Sequence, residues 1–307
     1  MRLRAILLLL AAPTIAAAQS ADPPIVGRWD LTVAAPNGPA SSWLEVLPSG
    51  NGYLVGRFVG TSGSARPISR VEFSGGALRF AIPPQWENGK ADLAVQGTLA
   101  GEKLSGTFTM PDGARLTWTG VRAADLVHAT PAWGAPVALF DGKSLTGWAP
   151  RGGKNNWSVV NGLLTNAGPG ANLVTTGKFG DFKLHAEFRY PKGSNSGIYL
   201  RGRYEVQIED SPHRAVPRSD EVGGVYGYLA PNASAANPPG QWQTYDITLV
   251  GRRITVVLNG RTVIADQLVP GITGEAIDSD EAAPGPIFLQ GTEGAVEFRR
   301  IVLTPGR

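Results

Sequence analysis

Short runs in which apolar and polar residues alternate, broken by Gly, Asn and Pro, recur along the chain from about residue 24 onward. Phe182, Leu184, Ala186 and Phe188 alternate with Lys183, His185, Glu187 and Arg189. That period of two predicts a half-buried β-strand. Ile198 and Leu200, Val206 and Ile208, Tyr245-Ile247-Leu249 and Ile254-Val256-Leu258, each set at every second position, repeat the pattern. Asn259-Gly260 between two such runs predicts a type I′ hairpin, because both central positions need positive φ. About a dozen strands of this kind predict two packed antiparallel sheets, a jelly-roll sandwich, over residues 136–307.

Residues 24–122 read differently. Strands are expected at 27–33, 42–46, 52–59, 69–73, 77–82, 91–99, 103–110 and 115–120, with Gly marking the turns between them. An up-and-down meander closing into a small lipocalin-like barrel is the economical arrangement, since closure removes exposed edges. Trp29, Trp43, Trp86 and Trp118 are read as core in preference to the lining of a ligand cavity. Residues 123–135, with Pro131, Trp133 and Gly134, read as a linker. The fold class is therefore all-β, a small antiparallel barrel followed by a jelly-roll sandwich.

Composition changes the picture in three places. Arg2 and Arg4, the apolar run 5–12 and Ala16-Ala17-Ala18 have the layout of a signal peptide over residues 1–18, too short to span a bilayer. An exported protein, periplasmic or secreted, is expected, with no membrane insertion after cleavage. Processing removes two arginines and no acids, so the formal charge falls from +3 to +1. That balance gives no reason to expect nucleic acid or an anionic membrane as partner. The chain has no Cys, which leaves stability to buried area without disulfides.

The candidate chemistry lies on the polar side of the sandwich strands. If Ile198, Leu200, Val206 and Ile208 face the core, then Tyr199, Arg201, Glu205 and Gln207 face away from it. A three-residue loop at 202–204 would pair Leu200 with Val206 and Tyr199 with Gln207. With His185 and Glu187 from the neighbouring pattern, these residues are expected to form one polar floor. Carboxylates, an amide, a guanidinium and a ring on one face suit a sugar, which offers hydroxyls and an apolar ring face. A solvated face carrying scattered ion pairs is the alternative. Trp242, out of phase with Tyr245 and Ile247, belongs on the non-core side. Ser194 to Gly197 and the glycine-rich run 223–227 are read as loops that approach a ligand closely. Asp210 and His213 follow the strand end; Asp210 reads equally as a turn cap.

These residues fall within a longer resemblance. FDGKSLTGW (140–148), FGDFKLHAEFR (179–189), GSNSGIYLRGRYEVQIEDS (193–211), GGVYGYLAPNASAANPPGQWQTYDI (223–247), the LNG turn (258–260), GPIFLQG (285–291) and VEFRRI (296–301) resemble the 3-keto-disaccharide hydrolase domain family. The resemblance covers 137–304 and implies a concanavalin-like jelly roll acting on an oligosaccharide or glycoside whose C3 hydroxyl is already a ketone. Such a substrate allows abstraction of the C2 proton, β-elimination of the C1 substituent and hydration of the enone. Glu205 is then the first candidate for the base, with Glu187 or His185 as partner. Arg201 and Gln207 are candidates to polarise the ketone, and Asn195, Tyr199, Asp210, Tyr226, Trp242 and Gln290 to hold the sugar. Family members often carry an Asp-His pair after the stretch matching 289–291, where this chain has Thr292-Glu293. The chemistry requires no cofactor. With His128, His185 and His213 as the only histidines, no His-rich metal motif can be built; Ca²⁺ on carboxylates and carbonyls is compatible with the fold, though no spacing specifies it. A non-catalytic carbohydrate-binding sandwich is the competing function.

Overall fold

The computed structural model describes residues 22–211 and 213–307. The expected signal peptide, residues 1–18, lies outside them. Among the described residues all regular structure is β. Eight strands from Gly27–Ala35 to Arg115–Arg122 pair each with the next, and the first closes on the last to make a barrel. Its interior is filled by apolar side chains including Trp29, Leu31, Phe58, Phe80, Phe108 and Trp118. Phe58 meets Phe80 and Phe108 edge-on at 5.6 and 5.4 Å. The recurrent glycines serve packing as well as turns: a Cβ at Gly97 or Gly106 would strike the Trp118 ring, at 2.7 and 2.6 Å.

The second half is a sandwich. One sheet runs Trp148–Arg151, Asn172–Thr175, Phe288–Leu289, Asn195–Leu200, Tyr204–Glu209. The other runs Trp157–Val160, Leu163–Asn166, Val296–Pro305, Phe182–Arg189, Gln243–Val250, Arg253–Leu258, Arg261–Leu268, and Val137–Ala138 pairs with Val296–Pro305. Leu184, Ala186 and Phe188 from the larger sheet and Ile198, Val206 and Ile208 from the smaller one belong to a single core. The Asn259-Gly260 turn has φ of 50° and 79°, as its sequence requires.

The hairpin carrying the candidate site differs from the expected register. Leu200 pairs with Tyr204, Tyr199 with Glu205 and Ile198 with Val206, so the three-residue loop is 201–203, one position earlier than predicted. Arg201 and Gly202 both take positive φ, 53° and 69°. An Arg tolerates this because its side chain is fixed beneath the turn: Nη2 donates to the Gly251 carbonyl at 2.7 Å and to the Tyr204 hydroxyl at 3.2 Å. Tyr204 in turn donates to the buried Glu281 at 2.7 Å, and Arg28 reaches Glu281 from the barrel at 3.3 Å. Arg203 holds the same loop through Asp278 (2.7 Å) and the Ala283 carbonyl (2.8 Å).

Barrel and sandwich share a small core of their own. Trp43 and Val59 of the barrel pack on Ile272 and Ala276, with Tyr228 edge-on to Trp43 at 6.0 Å. Burying one such aromatic is worth about 3 kcal/mol. The backbones come equally close. Glu275 N–H donates to the Thr61 carbonyl at 3.1 Å and Ser41 Oγ to the Ala276 carbonyl at 2.7 Å. A Cβ at Gly274 would lie 2.6 Å from the Gly63 nitrogen, and one at Gly227 2.8 Å from the Ala65 nitrogen. The glycine at 227 is thus needed for contact with the barrel, where the sequence suggested contact with a ligand.

Candidate functional site

Strand Tyr204–Glu209 is buried on both faces except at Glu209. Val206 and Ile208 point into the sandwich. Glu205 and Gln207 point the other way, under a roof made by the 270–293 segment and the barrel. Segment 223–226 runs along the open edge of the strand: Tyr226 N–H donates to the Glu205 carbonyl (3.0 Å) and Gln207 N–H to the Gly224 carbonyl (3.0 Å). This pairing carries the Tyr226 side chain over Glu205.

The result is a cleft of about 330 Å³. Glu205, Gln207, Tyr199 and Asn195 form its floor, and Tyr226, Glu275, Gln290 and Glu293 its sides. Ser62, Gly63 and Trp86 of the barrel complete the wall. Gly197, on the neighbouring strand, makes room for the Glu205 side chain; a Cβ there would overlap its carboxyl group. Tyr199 stacks on Phe288 at 4.2 Å, which fixes the position of its hydroxyl. That hydroxyl lies 3.0 Å from Glu205 Oε2 and 3.0 Å from the Gly274 carbonyl oxygen.

Electrostatics follow from this enclosure. Burial pushes the Glu205 carboxyl up to about 8; the Tyr199 hydrogen bond opposes the rise, and the charges of Glu275 and Glu293 reinforce it. The protonated acid also resolves the sharing of one hydroxyl proton. Glu205 then donates to the Tyr199 oxygen while Tyr199 donates to Gly274. Glu275 is raised as well, by burial and then by Glu293, against a hydrogen bond from Gln290. Tyr226 is raised by burial and by Glu205, and the Trp86 indole engages its hydroxyl. The side-chain oxygens of Asn195, Gln207 and Gln290 are buried and have no hydrogen-bond partner within the protein. Each such acceptor costs about 1–3 kcal/mol until something donates to it. No Lys or Arg is among the described residues that line the cleft.

Glu205, Gln207, Tyr199, Asn195, Tyr226 and Gln290 are therefore brought together as expected. The other expected residues stand elsewhere. His185 and Glu187 lie on the outer face of the opposite sheet, because alternation tells which residues leave the core and not which side of the sandwich they leave by. There His185 contacts Asp246 (2.7 Å) and Glu187 (3.3 Å), and Glu187 accepts from Arg299. Burial raises the Glu187 carboxyl, but Arg299 and His185 outweigh it and leave it below the usual range. Trp242 is on that same outer face between Arg189 and Arg299, 4.9 and 4.4 Å from its ring. Arg201 is the buried turn residue already described. Asp210 caps a turn, accepting from Gly193 N–H at 2.8 Å. His213 is exposed.

Ser62, Trp86 and Glu275 are the members that sequence reasoning missed. Trp86, expected in the core, is 69 % exposed at the rim of the cleft. Glu293, which replaces the His of the family's usual pair, does reach the cleft. Among the described residues no group of three or more His, Asp or Glu side chains is placed to hold a metal ion.

A family profile described as the 3-keto-alpha-glucoside-1,2-lyase-like domain matches residues 135–304. The chain belongs to this family. A curated relative, the 3-keto-disaccharide hydrolase of Bacteroides thetaiotaomicron, is 31 % identical over 86 residues, covering 24 % of this chain and 29 % of the relative. The match thus spans under a third of that relative's length. Among solved structures, a protein of Parabacteroides distasonis provisionally assigned as a glycosyl hydrolase is 27 % identical, covers 59 % of this chain and 92 % of its own, and superposes with a TM-score of 0.48. A carbohydrate-binding module from Bacillus subtilis covers 50 % of this chain and 93 % of its own at 13 % identity and a TM-score of 0.36. The family and the curated relative both carry the names of carbohydrate-active proteins.

Proposed function

We propose that the cleft processes 3-keto-glycosides by elimination and hydration, with Glu205 as the base. The observation that carries this reading is a single carboxyl group, 4 % exposed and raised to about 8, at the floor of a cleft walled by unpartnered amide oxygens. A carboxylate of ordinary basicity is a poor acceptor for a C–H proton; one raised toward 8 is better matched to it. Asn195, Gln207 and Gln290 would take hydrogen bonds from sugar hydroxyls, which orients the ring over the floor.

In this scheme ionised Glu205 removes the proton at C2, next to the ketone. The electron pair moves to the ketone oxygen and returns as the C1–O bond breaks, leaving the C1=C2 enone. The departing alkoxide takes a proton from Glu275, a carboxyl that burial and the neighbouring Glu293 raise above its ordinary value. Tyr226 donates to the ketone oxygen as charge grows there, a task its Trp86 contact leaves its proton free to do. Water then adds to C1 and returns a proton to C2, completing a net hydrolysis. With no Lys or Arg among the described residues of the lining, stabilisation falls to neutral donors in a desolvated site, where each is worth more than in water.

The test is release of the aglycone from 3-keto-glucosides, run beside the unoxidised glucosides and a Glu205→Gln variant. Release from the keto substrates alone, lost in the variant, supports the scheme. Sugar binding without release from any keto substrate would overturn it in favour of a binding module.

A further inference from the structure

The two ends of the cleft floor differ in character. Tyr199 and Glu205, paired across adjacent strands, make one end. The other is built of amides. Asn195 and Gln207 share the sheet face and lie diagonally across the same two strands, since Gly197 pairs with Gln207 and Asn195 with Glu209. Gln290 joins them from the other side of strand Asn195–Leu200. Its N–H donates to the Gly197 carbonyl at 2.9 Å, and its carbonyl accepts from Ser196 Oγ at 2.8 Å. Gly294 packs so closely on this strand that a Cβ there would lie 2.8 Å from the Asn195 nitrogen, which brings the adjoining Glu293 to the same end of the cleft.

What this end offers is acceptors. Gln207 and Gln290 are 3 and 6 % exposed, and the side-chain oxygen of each, like that of Asn195, is buried without a donor. The N–H groups of these two glutamines are already committed: Gln207 Nε2 donates to the Asp220 carbonyl at 3.3 Å, and Gln290 donates to Glu275. The carboxyls of Glu275 and Glu293 stand beside them, with no Lys or Arg among the described residues of the lining. None of the charged neighbours that act on Glu205 or Glu275 is a cation. A hydroxyl answers one of these acceptors, but it also brings an oxygen that the committed amides cannot serve. A protonated amine brings three donors, no acceptor and the missing positive charge.

We propose that the amide end of the cleft receives an ammonium group paired with Glu293, and that the substrate is a glycoside of an amino sugar. This rests on a sugar occupying the cleft, as proposed above, and adds the functional group by which the site selects among sugars. A uronic acid would set its own carboxylate against Glu275 and Glu293 and be refused by like charge.

Calorimetric titration of the intact protein at neutral pH and low salt tests this, since no ligand needs to be turned over. The ligands are methyl glucosaminide, methyl 6-amino-6-deoxyglucoside, methyl N-acetylglucosaminide, methyl glucoside and propylamine, each glycoside as both anomers. At least one amino glycoside is expected to bind about tenfold or more tightly than methyl glucoside, the scale of one charge-assisted hydrogen bond. The N-acetyl compound, which keeps the nitrogen and loses the charge, should bind no better than methyl glucoside. The preference should fall toward one in Glu293→Gln and vanish in Glu293→Lys, which supplies the cation from the protein, each variant checked for an unchanged melting transition. Equal affinities for amino and neutral glycosides would overturn the proposal and leave the sugar cleft standing. A preference that survives both substitutions, or no binding by any of the amines, would overturn it as well. Binding of propylamine that Glu293→Lys abolishes, with no glycoside bound, would instead remove the sugar from the cleft and leave the ammonium site.

Discussion

Gly197 and Glu205 occupy each other's space: the carboxyl of Glu205 lies where a Cβ on residue 197 would be. The absence of a side chain on one strand is what lets the acid on the next lie flat across the cleft floor. Gly197→Ala should therefore displace the carboxyl while leaving the sheet pairing intact. A displacement of about 1 Å at a reacting group can cost on the order of a hundredfold in rate. We expect that loss in kcat/KM with only a small fall in melting temperature, measured on the same preparation.

Activity should at first rise with pH. The base works only when ionised, and burial holds Glu205 to about 8, so kcat/KM is expected to climb toward that region and to fall again where Glu275, the acid of the scheme, ionises. A plateau already reached near pH 5 would show that the ionisation belongs to some other, unburied carboxylate.

Stability should move in the opposite direction. Glu205 and the buried Asp30 are each raised to about 8 in the folded protein, from 4.5 and 3.8, Asp30 by burial first and by Glu281 next. Between those limits the folded state holds protons that the unfolded chain has released. Unfolding free energy accordingly falls as pH rises from about 4.5 to 8 and is greatest on the acid side of that window. The decline should be on the order of 5 kcal/mol at most for each group, since each tenfold difference in proton affinity between folded and unfolded chain is worth about 1.4 kcal/mol. Denaturant melts across this range check it, and Glu205→Gln should flatten the slope.

Arg201→Ala separates fold from chemistry. This guanidinium holds Tyr204 and the Gly251 carbonyl and leaves Glu281 and Arg28 otherwise paired. Its removal uncovers buried acceptors and should cost about 3 kcal/mol in chemical denaturation. Turnover per folded molecule should remain, because Arg201 does not face the cleft.

His185→Ala and Glu187→Gln make the complementary case. Both lie on the far face of the sandwich, in a half-exposed network worth about 1 kcal/mol or less per pair. Their kcat values should stay within about twofold of the parent protein, a change of under 0.5 kcal/mol. A hundredfold loss would place the chemistry on the other sheet.

The barrel's strands and the two-sheet sandwich are legible in the sequence because alternation and glycine turns are local signals. Three cleft residues are legible for the same reason, since Tyr199, Glu205 and Gln207 share a sheet face whatever lies above them, while Asn195, Tyr226 and Gln290 are expected from the family resemblance. What alternation does not supply is the partner above that face. His185 and Glu205 carry the same polar-outward signature, and only the sheet order, with Val296–Pro305 beside Phe182–Arg189, puts them on opposite sides. Glu275 and Trp86 lie in irregular segments with no period to read. The turn at 201–203 escapes a sequence reading because positive φ is expected at Gly202 and not at an arginine. The buried anchor that lets Arg201 adopt the same conformation is formed by residues about 50 and 80 positions away.

The order of strands has a consequence for the order in which the parts of the molecule can fold. Every barrel strand pairs with its neighbour in sequence, so the barrel can close once Arg122 has emerged. The larger sheet of the sandwich instead has its most C-terminal strand, Val296–Pro305, in its interior, between Leu163–Asn166 and Phe182–Arg189. Hairpins such as Asn195–Leu200 with Tyr204–Glu209 can pair early, but the sheet that Val296–Pro305 joins leaves strand edges open to stray association for longer than the barrel does. The barrel's docking face, with Trp43 and Thr61 already in place, offers the 270–285 segment a finished surface to settle on. The cleft is then completed only when hairpin, 270–293 segment and barrel have come together.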